Sequence, residues 1–229
     1  MNVNDLHLRE LYRFAELGRM SASLLHEISN PLSAAMLNLE MGDQTSVAVR
    51  RAQRNMQLLR RYVEAARQQI RPHSPASSFC LNVQVTQLKR MLQPLARKAG
   101  VKLVFGKLPE RYKIHGDPVK FQQIVTNLVI NGLQAYEHTS SSIVPVVQIT
   151  FCGAAEWLTV QVQDWGKGIA AADMPKLFNM FYTTKGGDGL GLGLAIVKQY
   201  VKADFGGTIK VTSSRRQGTR FTVKLPICR

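Results

Sequence analysis

Apolar residues recur at alternating steps of three and four through the first forty positions. Such a heptad spacing forms the seam of a helix that packs at a shallow angle in a bundle. After a break at residues 42–46, a second series repeats the spacing. The two helices should form an antiparallel hairpin, and because a hairpin buries only one seam, we expect two copies to pair as a four-helix bundle. The two series are Leu11, Phe14, Gly18, Ser21, Leu25, Ile28, Leu32, Ala35 and Leu39, then Val49, Ala52, Met56, Leu59, Val63, Ala66 and Ile70.

A histidine, a glutamate and an asparagine occur together on the first helix, in the stretch LLHEISNPL. With the flanking apolar residues on the seam, His26, Glu27 and Asn30 point toward solvent, which disfavours a buried core histidine. An exposed neutral imidazole is a competent nucleophile, and a neighbouring carboxylate can hold its tautomer and stabilise the developing charge. Pro31 should kink the helix beside this group. The open alternatives are a chemical role and an accident of packing.

The periodicity ends at RPHSPASS, residues 71–78, where two prolines and three serines predict a domain boundary. We therefore predict a hairpin domain over residues 1–71, a linker over 72–78 and a second domain over 79–229. The second domain has mixed patterns that predict an α+β sandwich, with helices on one face of a largely antiparallel sheet. Its predicted elements are strands at 79–83, 101–105 and 112–115, helices at 83–99 and 117–137, a β-hairpin at 146–164 that turns near Gly153, and a hairpin at 207–227 that turns at 215–218.

The formal charge of +15 raises the question of a nucleic-acid partner. Much of the charge lies in one segment of a predicted helix, where a solvated face is the usual explanation. No helix-turn-helix, zinc-finger or aromatic-and-basic RNA signature accompanies it, so we expect no nucleic-acid binding, and attraction to an acidic protein or to anionic lipid stays open. The segment contains Arg50, Arg51, Arg54, Arg60, Arg61, Arg67 and Arg71.

Three cysteines stand far apart in the sequence, which argues against a zinc site or a disulfide framework. We expect Cys80, Cys152 and Cys228 to be reduced, structural thiols in a cytosolic setting. No run of eighteen apolar residues and no secretory signal occurs, so we expect a cytoplasmic location. Any membrane or sensor domain of a longer parent protein would lie upstream of these residues.

Two short motifs in the second domain suggest ligand chemistry. NLVIN places Asn127 and Asn131 one turn apart on a helix, and amide oxygens are suitable Mg²⁺ ligands, although a helix face that happens to carry two asparagines is the simpler explanation. DWGKGI places Asp164 at a strand end, followed by Gly166 and Gly168. This motif is either a plain turn or a site where the carboxylate accepts the amine of adenine and the backbone approaches the ring.

The third motif is the most specific. KGGDGLGLGLAIVKQYV, residues 185–201, passes from a glycine-rich loop into an amphipathic helix that should begin at about Gly191 and whose free N–H groups should face an anion. It lacks the GK[ST] of a Walker A loop and the βαβ surroundings of a dinucleotide fold. The preceding LFNMFYTTK, residues 177–185, offers two phenylalanines as anchors for a mobile segment, and Thr183, Thr184 and Lys185 to meet phosphate. Together the three motifs predict an adenine clamp, a metal ligand and a lid.

These segments resemble the five motifs of sensor histidine kinases of two-component systems. HEISNP is similar to the family's H box, NLVIN to the N box, DWGKGI to the G1 box, LFNMFYTTK to the F box and GLGLGLAIV to the G2 box, all in the family's order and spacing. The resemblance covers about residues 16–226. It implies a dimerisation and phosphotransfer hairpin followed by a Bergerat-type ATP-binding domain.

The resemblance also implies roles for individual residues. His26 would accept the γ-phosphoryl group of ATP, with Glu27 as its base or orienting partner, and would pass it to an aspartate of a response regulator receiver domain. The amide of Asn30 would orient a water that dephosphorylates the regulator, so a homodimer with kinase and phosphatase activity is expected. The nucleotide site would comprise Asn131 as Mg²⁺ ligand with Asn127 beside it, Asp164 reading adenine, and Gly166, Gly168, Gly189, Gly191 and Gly193 shaping the pocket and lid.

Two departures and one competing interpretation accompany this resemblance. Gly132 stands where the family usually has alanine, which should weaken the helix by up to about 1 kcal/mol, and Gln134 replaces a common charged residue. Neither departure touches a predicted ligand. The competing interpretation is a scaffold that dimerises and binds ATP or a regulator without turnover; the presence of His26, Asn131 and Asp164 argues against it.

Overall fold

The computed structural model describes residues 32–33, 56, 77–108, 112–137, 144–154, 156–184, 191–215 and 217–228. The predicted hairpin lies outside the described residues except for three helical positions. The chain divides into two compact units, residues 1–72 and 73–229, and the elements below all belong to the second. The hairpin and the proposed borders at 71 and 79 therefore stay predictions.

The second unit has the following order of elements in its described part. They are β1 (Ser77–Cys80), α1 (Leu81–Lys98), β2 (Lys102–Phe105), β3 (Lys113–Gly116), α2 (Pro118–Gln134), β4 (Val146–Ala154), β5 (Trp157–Asp164), a 3-10 turn (Met174–Lys176), α3 (Gly193–Gln199), a π-helical turn (Tyr200–Asp204), β6 (Thr208–Ser214) and β7 (Gly218–Pro226). No described helix combines the length and the apolar character that crossing a membrane would require.

A five-stranded sheet forms one layer of this unit, in the order β2-β4-β5-β7-β6. Its pairs are antiparallel except for β2 and β4, which are parallel. Alternate residues along the central strands are buried, and the pairing places them side by side, as in Ile149 opposite Val162 and Val162 opposite Phe221. One face of the sheet is therefore apolar, and the predicted α+β architecture is confirmed for this unit.

Helix α1 begins two residues earlier than predicted. Leu81 is fully buried and its N–H donates to the Tyr112 carbonyl (3.1 Å), so the strand that precedes it ends at Cys80 and not at residue 83. The buried stripe of the helix runs along one face because its members are three or four residues apart. These residues are Leu81, Val85, Leu88, Leu92 and Ala96.

Helix α2 begins where the sequence predicts. The Asp117 carboxylate caps it by accepting the Val119 N–H (2.8 Å), and Pro118 occupies the first turn. The helix ends at Gln134 and not at residue 137. The helix packs closely against strand β4, because a Cβ atom added at Gly132 would lie 3.1 Å from a Val147 methyl group.

A separate two-stranded ribbon, β1 with β3, is not indicated by the sequence patterns. Its antiparallel register pairs Ser77 with Gly116 and Cys80 with Lys113. The Lys113 carbonyl also accepts the Cys228 N–H (2.9 Å). All three cysteines are free thiols, but Cys80 and Cys152 are exposed, so the expectation of structural thiols is wrong for these two.

Candidate nucleotide-binding site

Asp164 ends strand β5 and is almost completely buried, with 4% of its surface exposed. Its Oδ1 accepts the N–H of Gly166 (3.0 Å) and the N–H of Thr219 (3.2 Å). Burial raises the pKa of the carboxyl to about 6, although these two N–H groups act in the opposite direction. The side chain therefore carries an acceptor that is held in place and is costly to leave without a partner.

The loop after Asp164 is fixed against the end of helix α2. The Ala135 carbonyl accepts the Lys167 N–H (3.1 Å), and Gly166 packs so closely on Ala135 that a Cβ atom would lie 2.6 Å from that carbonyl oxygen. Gly168 has a φ of 66°, and its Cβ would lie 2.0 Å from the Ser214 carbonyl oxygen. Both glycines of the motif are thus required by the loop path.

The two asparagines lie on the same helix, upstream of that loop. Asn127 Nδ2 donates to the Gly193 carbonyl in a long hydrogen bond (3.5 Å) at the first residue of α3. Asn131 lies one turn later. A Cβ atom added at its neighbour Gly132 would lie 3.7 Å from the Cβ atom of Asp164, so this turn of the helix packs close to the carboxylate residue. Helix α2 therefore brings the carboxylate loop and the start of α3 to one region.

The asparagine pair suits Mg²⁺ by the chemistry of its donors. Amide oxygens are hard ligands, and Mg²⁺ at nucleotide sites keeps several waters and takes few protein groups. Within the described ranges, no three His, Cys, Asp or Glu side chains come together as a metal site. Asn127 and Asn131 stay the predicted protein ligands.

The start of α3 differs from the prediction. The helix begins at Gly193, two residues after the predicted Gly191, and Gly191 has a φ of 64°. A Cβ there would lie 2.4 Å from the backbone of Phe181, a residue that itself has a φ of 62°. The backbone at Phe181, in the segment LFNMFYTTK, therefore packs directly against the backbone at Gly191, in the glycine-rich segment.

The contacts join Asn127 to Gly193, Gly132 (beside Asn131) to Asp164, and Gly166 to the end of α2, while Gly168 and Gly191 lie in the adjoining loop segments. Thr184 is exposed, and no contact to this group is described. Lys185 and Gly189 lie outside the described residues, as do His26, Glu27 and Asn30.

Sequence reasoning missed three residues that support the site. Thr219 supplies an N–H to Asp164, Ser213 accepts the Ile169 N–H (2.9 Å), and Tyr136 accepts the Trp165 N–H (2.8 Å). Each acts across a long stretch of chain, and no local pattern indicates such a contact. The contacts of Thr219 and Ser213 follow from the pairing of β5 with β7 and of β7 with β6.

The net charge is concentrated in the same unit as the site. Residues 73–229 contain 20 Lys and Arg against 8 Asp and Glu, a net charge of +12 (20 − 8) out of the +15 of the chain. The arginines of the predicted second helix therefore contribute less to the net charge than expected, because acidic residues in 1–72 offset most of them. A positive unit attracts polyanions such as nucleotide phosphates.

Comparison with known proteins identifies the family. Residues 116–229 match the family model of the histidine kinase-, DNA gyrase B- and HSP90-like ATPases. The chain is 31% identical to the sensor histidine kinase ZraS of Klebsiella oxytoca over 94% of its own length, and 30% identical to ZraS of Escherichia coli K12 over the same share. The chain belongs to the sensor histidine kinases.

A further relative matches almost the whole chain. The chain is 28% identical to the sensor histidine kinase TmoS of Ectopseudomonas mendocina, over 99% of its length and 24% of that protein. It spans about half the length of the ZraS proteins, 47% for the K. oxytoca protein and 46% for the E. coli K12 protein.

Solved histidine kinases share its fold. The catalytic domain of ThkA matches with a TM-score of 0.56 and 24% identity, over 67% of this chain and 96% of that domain. Full-length ShkA in complex with AMPPNP matches with a TM-score of 0.62 and 22% identity, over 93% of this chain and 46% of ShkA. ThkA in complex with the response regulator protein TrrA matches with a TM-score of 0.63 and 22% identity, over 96% of this chain and 64% of ThkA.

Proposed function

We propose that this chain is the catalytic core of a histidine kinase that phosphorylates itself on His26 with ATP. The phosphoryl group would then pass to an aspartate of a response regulator receiver domain. The observation that carries the proposal is the arrangement around helix α2: its end fixes the loop of the buried Asp164, and its Asn127 touches the start of α3. This arrangement supports a site in which α2 would hold both the carboxylate that reads the base and the amides on the phosphate side.

The site residues have separate roles in this proposal. Asp164 accepts the exocyclic amine of adenine, and Gly166 and Gly168 let the loop approach the ring. Asn131 holds Mg²⁺ with Asn127 beside it, and the metal would supply neutralisation of phosphate charge. Thr184, Lys185, Gly189, Gly191 and Gly193 form the phosphate side and the lid.

The chemistry at the histidine is a simple displacement. An imidazole nitrogen of His26 attacks the γ-phosphorus, the bond to the bridging oxygen breaks, and ADP leaves. Glu27 orients the ring and stabilises its positive charge. Phosphoryl transfer depends on in-line positioning and charge neutralisation more than on covalent work by other protein groups.

Several finer features belong to the same proposal. Structures of ThkA with a response regulator and of ShkA with an ATP analogue support the choice of partner and nucleotide by likeness of fold. We propose a homodimer built on the hairpin over residues 1–71, a linker over 72–78 and an ATP-binding domain over 79–229. We also propose phosphatase activity that depends on Asn30, a cytoplasmic location, and an upstream sensor or membrane domain in the whole protein.

Incubation with γ-labelled ATP and Mg²⁺ tests the proposal. We expect label on the protein that is acid-labile and base-stable, as phosphohistidine is, and its transfer to a receiver domain. His26→Gln should abolish the label while ATP binding stays at the wild-type level. Retained label in His26→Gln would refute the assignment of the histidine, and tight ATP binding by an unlabelled wild type would favour a scaffold.

A further inference from the structure

Tyr136 makes three hydrogen bonds through one hydroxyl group. It lies two residues beyond the end of α2 and donates to the Val146 carbonyl (2.6 Å). It also accepts the N–H of Val146 (3.3 Å) and the N–H of Trp165 (2.8 Å). A phenol has one donor and two acceptor positions, so these three contacts match its capacity.

The third contact connects this hydroxyl to the candidate site. Trp165 stands between Asp164 and Gly166, the two residues at which the buried carboxylate and its N–H donor meet. The carbonyl of Ala135 holds the same loop two residues further on, through the Lys167 N–H. Two consecutive residues at the end of α2 therefore hold the loop at residues 165 and 167.

The phenol suits this role chemically. Burial raises the pKa of Tyr136, so the hydroxyl keeps the proton that it donates to Val146. A phenylalanine would fill the same space and leave the carbonyl of Val146 and the N–H of Trp165 without this partner. The loop would then keep its bonds at Lys167 and Ile169 but lose the one at Trp165.

We propose that Tyr136 is a positioning residue for the nucleotide base. Its hydroxyl sets the distance between the Asp164 loop and the asparagines of α2, so that base and phosphates are bound at the same time. The proposal rests on the proposed function, because it assumes that Asp164 reads adenine. It predicts a loss in base recognition that leaves phosphate recognition unchanged.

The test compares Tyr136→Phe with wild type in the full chain. We expect the Kd for Mg·ATP to rise about tenfold, the scale of one or two lost hydrogen bonds, and the preference for ATP over GTP to fall. The Kd for Mg²⁺ with inorganic triphosphate, which has no base, should not change. Tyr112→Phe is the matched control, because its ring packs on Gly153 in β4, and it should bind both ligands like wild type.

The outcomes separate this proposal from the one on which it rests. Equal losses for ATP and triphosphate, or ATP binding by Tyr136→Phe that equals wild type, would overturn the positioning role and leave the kinase assignment intact. Failure of the wild type to bind ATP would overturn both. Tyr136→Trp offers a donor but no oxygen acceptor. It should therefore show the same weakened preference for ATP over GTP as Tyr136→Phe.

Discussion

The carboxylate of Asp164 accepts a hydrogen bond from the backbone N–H of Thr219, 55 residues further along the chain. The bond joins the end of β5 to the beginning of β7, and the Gly166 N–H reaches the same oxygen. A carboxylate has about four acceptor positions, so two N–H donors leave capacity for a ligand. Asp164 is therefore a fixed acceptor with hydrogen-bonding capacity beyond these two N–H groups.

Replacing Asp164 by asparagine should stabilise the domain and damage its function. The carboxyl has a folded-state pKa of about 6 against an ordinary value of 3.8, so as pH rises through this window the unfolded state ionises first and the folded state loses stability. The loss is on the order of 3 kcal/mol at most. An asparagine side chain at this position avoids the loss, and its amide oxygen still accepts both N–H groups.

We therefore expect Asp164→Asn to raise the free energy of unfolding by about 1–3 kcal/mol at pH 8 and to have little effect near pH 4. Denaturant titration followed by tryptophan fluorescence measures this, because both tryptophans, Trp157 and Trp165, lie in this unit. ATP binding should fall at least about tenfold. The same change in stability at both pH values would contradict the burial argument.

Nucleotide binding should depend on pH through the same group. Only the ionised carboxylate accepts freely from adenine, so ATP affinity should fall as pH drops through about 6. Phosphates also titrate at about pH 6, so Asp164→Asn serves as the reference that keeps the phosphate effect alone. Calorimetric titrations between about pH 5 and pH 8 give the two curves, and parallel curves would show that Asp164 has no part in the dependence.

The partly buried ion pair of Lys120 and Asp204 should behave as a coupled unit. Lys120 is 5% exposed, bonds Asp204 in the π-helical turn and lies over the Tyr200 ring, 5.1 Å from its centre. Lys120→Met leaves Asp204 without its cation and should cost about 2–4 kcal/mol of unfolding free energy.

Adding Asp204→Leu to Lys120→Met should recover most of that loss, because an apolar pair carries no desolvation cost of charge. The same fluorescence titration on the four proteins of the double-mutant cycle gives the coupling energy, which we expect to exceed about 1.5 kcal/mol. Additive losses in the two single variants would mean that the pair contributes nothing as a pair.

The proposed phosphatase role of Asn30 can be separated from kinase activity. Asn30→Ala should slow dephosphorylation of a phosphorylated receiver domain by about tenfold or more, since it removes the amide that orients water, while autophosphorylation changes less. Ser29→Ala, at the adjacent residue, is the matched control. Comparable losses of both activities in Asn30→Ala would remove the special role of the amide.

Local signals explain which parts of the fold can be predicted. Helix α2 is predictable because its signals are local. Asp117 followed by Pro118 marks its start, and its apolar residues recur at helical spacing. The pairing in the β1–β3 ribbon is not predictable in this way because it joins distant segments, and nothing near Ser77 indicates Gly116 as partner. The strand prediction over 79–83 is wrong at its end because Leu81 suits a buried helix face as well as a strand.

The candidate site shows the same division. Asp164, Gly166 and Gly168 form a compact motif that the sequence reveals, whereas Thr219 and Tyr136 reach the loop only through tertiary contacts. The predicted start of α3 lies two residues early, because a run of glycines does not reveal which one adopts a positive φ.

The small ribbon of β1 and β3 also connects the beginning of the second unit to the start of helix α2. Ser77 pairs with Gly116, and Gly116 is followed directly by the cap of α2, the helix that carries both asparagines. A twist or pull transmitted along the backbone into β1 would load four residue pairs in shear and act on the root of that helix. A change of tension at Ser77 would thus reach the helix that carries Asn127 and Asn131.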